Sequence, residues 1–117
     1  MTNVADKQAA MRGKIAALAD RFLQRCVNDM TSGRELLEQL KRGNAGAFKD
    51  MEHLAHRIAG TGSSLEFHSL SANAVTVERF AEAQLCTGTP DPEAIMRLGE
   101  FLAQLASEID LLVQARR

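Results

Sequence analysis

The run Ala55-His56-Arg57-Ile58-Ala59-Gly60-Thr61-Gly62-Ser63-Ser64-Leu65 sets one histidine ahead of two glycines and two serines inside an otherwise helical pattern. An imidazole ordinarily titrates near about pH 6.5, so at neutral pH one ring nitrogen keeps a lone pair able to attack an electrophilic phosphorus. A glycine in a helix interior costs roughly 0.8–1 kcal/mol against alanine, so two of them beside a titratable ring imply that something large must approach it. His56 therefore reads as a phosphate-accepting histidine, with its outer nitrogen, Nε2, as the nucleophile.

Where that ring points follows from the helical repeat. At about 100° per residue, with Met51 set at zero, Leu54, Ala55, Ile58, Gly62 and Leu65 gather within about 60° of one direction, which must be the core. His56 falls near about 140°, with Ser63 near about 120°, Glu52 near about 100°, Lys49 near about 160°, Gly60 near about 180° and His53 near about 200°. Side chains lean toward the helix N-terminus, so the absent side chain at Gly60 clears room just beyond the ring. Lys49 and Arg57 are the cations that can reach a phosphoryl oxygen, although a solvated charged face is the ordinary role of such residues. His53 and His68 lack the small residues that follow His56 and read as surface histidines. A metal site is not expected, because His53, His56 and Glu52 leave a coordination shell incomplete.

These residues need helices to hold them, and helix is what the chain offers. Its only prolines are Pro90 and Pro92, and no stretch alternates β-branched with polar residues. Apolar residues recur at three- and four-residue steps from about residue 5 to 42 (Ile15, Leu18, Ala19, Phe22, Cys26, Met30, Leu36, Leu37, Leu40), with a possible break at Thr31-Ser32-Gly33 where Ser32 would cap a second helix. After the polar Gly43-Asn44-Ala45-Gly46, the stripe bearing His56 begins at Ala47. A third stripe runs from Phe67 to Leu85, and Cys86-Thr87-Gly88-Thr89-Pro90 forms the longest loop. Asp91 then caps a final helix, with Pro92 at its first position and Arg116 and Arg117 at its C-terminal end. The expected fold is all-α: an antiparallel up-down four-helix bundle over residues 1–117, a single domain with room for a short additional N-terminal helix.

Composition narrows the partners. Fourteen Lys and Arg against fifteen Asp and Glu leave no cationic excess, which argues against a nucleic-acid binder. No apolar run approaches the ~20 residues needed to cross a bilayer, and Met1 to Arg12 lack the apolar centre of a signal peptide, so no membrane partner and a cytoplasmic location are expected. Cys26 and Cys86, far apart in apolar patterns, are expected to be reduced and buried. A monomer is expected, since no second apolar stripe is evident.

The residues from Leu54 to Phe67 resemble the signature of histidine phosphotransfer domains: a histidine (His56), an apolar residue two later (Ile58), a glycine four later (Gly60), then Thr61, Gly62, Ser63, Ser64 and Leu65. Ala59 stands where many members carry lysine, and Glu66 where many carry glycine. The resemblance implies a phosphorelay carrier without kinase activity of its own. It would take a phosphoryl group from a receiver-domain aspartate or a hybrid histidine kinase and pass it to another receiver aspartate. The receiver would bring the Mg²⁺, and the carrier itself would bind no cofactor. Lys49, Glu52, His53, Arg57, Ala59, Gly60 and Ser63 are the residues expected near the docked partner or the phosphoryl group. The alternative is a helical adaptor that binds a signalling partner through the same face without being phosphorylated. A histidine kinase fragment fits poorly, because His56 is not followed by the acidic, arginine and proline pattern of kinase dimerisation helices.

Overall fold

A computed structural model describes residues 3–117 as four α-helices: α1 (Val4–Lys41), α2 (Ala47–Ser64), α3 (His68–Ala83) and α4 (Pro92–Ala115). No strand occurs among the described residues. Each helix touches two others, α1 with α2 and α4, and α3 with α2 and α4, which closes the four into the expected bundle. Phe48, Met51 and Ile58 of α2, Leu70 and Val77 of α3, and Leu98, Leu105 and Ile109 of α4 meet Leu23, Cys26 and Leu40 of α1 in one fully buried core.

The ends of the helices form as their residues dictate. The Asn3 side chain accepts the Asp6 backbone N–H at 2.8 Å to start α1, and the Asp91 carboxylate accepts that of Glu93 at 3.1 Å to start α4, with Pro92 in the first turn. The loop from 84 to 91 is the longest connection, as the sequence implied.

Three expectations are corrected. The break at Thr31-Ser32-Gly33 is absent, and so is a separate N-terminal helix, because α1 runs unbroken for 38 residues. Gly33 serves packing instead of chain reversal: a Cβ placed there would stand 3.0 Å from Leu102 Cδ2, so the missing side chain is what lets α4 approach. Second, the apolar residues at the start of α1 are not core. Ile15 and Leu18 are about half exposed: they precede Phe22, on which Phe67 of the α2–α3 connection stacks, and α4 ends with Arg116 against Ala16 and Asp20. Third, only one thiol is buried. Burial pushes the Cys26 thiol up to about 12, with Asp29 adding to the effect and Arg25 opposing it, whereas Cys86 lies exposed in the α3–α4 loop.

Candidate functional site

Helix α2 carries the histidine, and its apolar stripe fixes its roll. Ala47, Phe48, Met51, Leu54, Ala55, Ile58 and Gly62 are buried, which turns His56 outward. The helix continues through Gly60 and Gly62 to Ser64 and stops in a tight C-terminal motif. The Phe67 N–H reaches the Gly62 carbonyl at 2.8 Å and the Glu66 N–H the Ser63 carbonyl at 3.1 Å, with Glu66 in the left-handed region at φ 67°. Phe67 then stacks on Phe22 of α1, ring centroids 6.0 Å apart.

The imidazole of His56 is 71% exposed and is held from one side only. Its Nδ1 lies 2.5 Å from Glu78 Oε2 of α3, and Glu78 is itself only 18% exposed. A carboxylate accepts, so Nδ1 carries the shared proton, and in the neutral ring the remaining lone pair sits on Nε2, on the far edge of the ring from α3. The pairing selects the tautomer in which the accessible nitrogen is the nucleophilic one.

On the other flank of His56 lies a shallow hollow between α1 and α2. Arg25 and Asp29 of α1 line it together with His56, Arg57, Gly60 and Thr61, over the buried Phe22 and Ile58. Burial raises the Asp29 carboxyl above its ordinary range, while Arg57 and Arg25 pull it back down. Two guanidinium groups therefore border the hollow that the ring overlooks.

The two glycines of the motif do different work. A Cβ at Gly60 would meet nothing within 4 Å, so this position is open ground in front of the ring. At Gly62 a Cβ would stand 3.1 Å from Leu70 Cδ2 and 3.6 Å from Phe22 Cζ, so that glycine is a close-packing residue. The Ser71 hydroxyl donates to the Ala59 carbonyl at 2.8 Å, a second polar tie between α2 and α3 one turn beyond His56.

Of the residues singled out in the sequence, His56, Arg57 and Gly60 share the hollow. Ser63 and Lys49 are exposed on α2, with Lys49 seven residues from His56, ~10 Å along the axis. His53 is exposed, but it faces a separate part of the α1–α2 groove beside Ser32 and Glu35. The half-buried Glu52 lies 3.9 Å from His53 Nε2, beyond hydrogen-bond reach. Ala59 is 7% exposed, its side chain packed against the bundle, so little of it faces outward beside His56. Among the described residues no group of three or more His, Cys, Asp or Glu is arranged to hold a metal ion, and no helix is long and apolar enough to cross a membrane.

Glu78, Arg25, Asp29 and Ser71 were not singled out in the sequence. Glu78 follows Val77 in the Ala74-Val77-Ala81 stripe of α3, which marks it as a carboxylate at the rim of a buried face. That signal does not say which helix the rim adjoins.

Comparison with protein families matches residues 17–115 to the Hpt domain. No curated protein and no solved structure gives a match.

Proposed function

Because the chain belongs to the Hpt domain family, which serves phosphotransfer in two-component signalling, we propose that His56 is its phosphoryl-carrying residue, exchanging the group with receiver-domain aspartates. The observation that carries this reading is the pairing of His56 Nδ1 with Glu78 on a ring 71% exposed, which in the neutral imidazole puts the free lone pair on Nε2.

The chemistry follows from that geometry. The Nε2 lone pair attacks the phosphorus of an aspartyl phosphate in line with the acyl oxygen. The N–P bond forms as the O–P bond breaks, and the bonding pair leaves with the aspartate carboxylate. The ring, still protonated on Nδ1, gains positive charge as it donates its pair, and the Glu78 carboxylate stabilises that charge from 2.5 Å away. Delivery is the reverse: an acceptor carboxylate attacks the phosphorus and the N–P pair returns to Nε2. Arg57 and Arg25 border the ring where they can balance phosphoryl oxygens. The divalent ion that neutralises the transferring group belongs to the receiver in this reading. Gly60 and Ser63, small and exposed, let the receiver's surface come within reach of the ring.

The test is transfer from a purified receiver domain charged with radiolabelled phosphate on its aspartate. Acid-labile, base-stable label is expected on this chain, and none on His56→Gln. Undiminished labelling of that variant would overturn the site, and binding of the receiver without any transfer would favour an adaptor.

A further inference from the structure

The first turns of α1 carry an apolar surface outside the residues that line the His56 hollow. Residues 4–16 precede the part of the chain matched to the family, and they belong to the stretch of α1 that leaves the bundle, drawn out to 64 Å against 25 and 18 Å in its other directions. Every residue from Val4 to Leu18 is exposed, and one face of this stretch is apolar: Val4 is 70% exposed, Met11 59%, Ile15 49% and Leu18 50%.

The spacing of these residues is that of a coiled-coil seam. Val4, Gln8, Met11, Ile15, Leu18 and Phe22 follow one another at alternating steps of four and three, filling consecutive d and a positions of a heptad, with Gln8 the single polar member. Phe22 is buried in the bundle, so the seam is continuous with the core and becomes exposed only toward its N-terminal end. A helix lying against this row would extend the packing that Phe22 begins.

Charge decides which helix. The g positions beside the seam are Lys7, Lys14 and Arg21, and the e positions are Ala5, Arg12 and Ala19. The only acids of the segment, Asp6 and Asp20, fall at f, on the opposite side. None of the four cations is in an ion pair among the described residues. Two copies paired in parallel would set Lys7 against Arg12, and paired antiparallel would set lysine against lysine. Either arrangement brings like charges together and forms no opposite pair. A helix with apolar a and d residues and acidic flanks would meet every one of these cations with its opposite.

We propose that the exposed row from Val4 to Leu18 is half of a heterotypic coiled coil and docks an amphipathic helix of another protein whose e and g positions are acidic. The proposal is independent of the His56 chemistry. It also predicts a change in the segment itself, because an exposed helical stretch this short is marginal in water and gains order when its apolar row is covered.

The test uses the full chain and two synthetic three-heptad peptides with leucine at a and d, one with glutamate at e and g and the other with lysine. Fluorescence anisotropy is expected to show the acidic peptide binding at least tenfold more tightly than the basic one. Hydrogen exchange in residues 4–16 should slow on binding. The double variant Met11→Lys/Ile15→Lys, which alters only exposed positions, should lose the acidic peptide, and the triple variant Lys7→Glu/Lys14→Glu/Arg21→Glu should reverse the preference. Thermal unfolding of each variant checks that the bundle is intact. Equal binding of both peptides, or none, overturns the proposal. So does a dimer in sedimentation that Met11→Lys/Ile15→Lys abolishes, or binding to phosphatidylserine vesicles alone without binding of the peptide.

Discussion

His56 Nδ1 and Glu78 Oε2 stand 2.5 Å apart across the α2–α3 contact, 22 residues apart in sequence, and this contact orients the ring. The carboxylate does two separable things. As an acceptor it holds the proton on Nδ1, and as a charge it steadies the ring while Nε2 gives up its pair. Glu78→Gln keeps an acceptor and loses the charge, whereas Glu78→Leu loses both. Rapid-quench transfer rates from a phosphorylated receiver are expected to fall about tenfold for glutamine and further for leucine, on the scale of ~1.5–3 kcal/mol for a hydrogen bond to a charged group. Equal rates in all three proteins would remove Glu78 from the mechanism.

The two glycines after the histidine should respond oppositely to the same change. Gly60→Ala places a methyl in open space and should stabilise the helix by roughly 0.8–1 kcal/mol. At Gly62 the same methyl meets Leu70 at 3.1 Å, and the packing strain should cancel or outweigh that gain. Chemical denaturation of both variants measures the difference. Gly60→Leu should remain as stable as the parent yet accept phosphate far more slowly, since its side chain stands where the receiver must approach.

Glu66 occupies a left-handed backbone conformation, φ 67°, at the end of α2. A residue with a Cβ pays about 1–2 kcal/mol there that glycine does not, partly offset by the greater freedom of glycine in the unfolded chain. Glu66→Gly should therefore raise stability by a few tenths to about 1 kcal/mol, read from the midpoint of denaturant unfolding, with transfer unchanged because Glu66 lies beyond the helix that carries the ring.

Asp29 should make the bundle less stable as pH rises. Burial lifts its carboxyl above the ordinary range despite Arg57 and Arg25, so the native state holds the proton more tightly than the unfolded chain. The stability it contributes is complete below the ordinary carboxylate range and is lost as pH climbs through the raised value. Asp29→Asn should accordingly melt higher than the parent at neutral pH, with the gap closing in acid. A gap that widens in acid would reverse the assignment.

Much of this was legible in the residues themselves. The stripe from Ala47 to Leu65 fixed the roll of α2 and with it the outward ring, and Asp91-Pro92 marked the start of α4, because both are local patterns of burial and capping. The misreadings share one cause. Gly33 looks like a helix break until Leu102 is seen against it, the burial of Ala59 shows only in the packed bundle, and Glu78 is unremarkable until its distance to His56 is known. Each depends on which faces of different helices meet, and the helical repeat carries no such information. Ile15 and Leu18 show the converse: their stripe is real, but they stay about half exposed although Arg116, at the end of α4, reaches the Ala16 carbonyl and the Asp20 carboxylate beside them.

The phosphorylated nitrogen can be read directly by nuclear magnetic resonance on the chain labelled with ¹⁵N in its histidines. Before transfer, His56 is expected as the Nδ1–H tautomer; after exposure to a phosphorylated receiver, phosphorus coupling is expected at Nε2 of His56 alone. Coupling at Nδ1, at His53 or at His68, or an unphosphorylated ring in the presence of a receiver that binds, would contradict it.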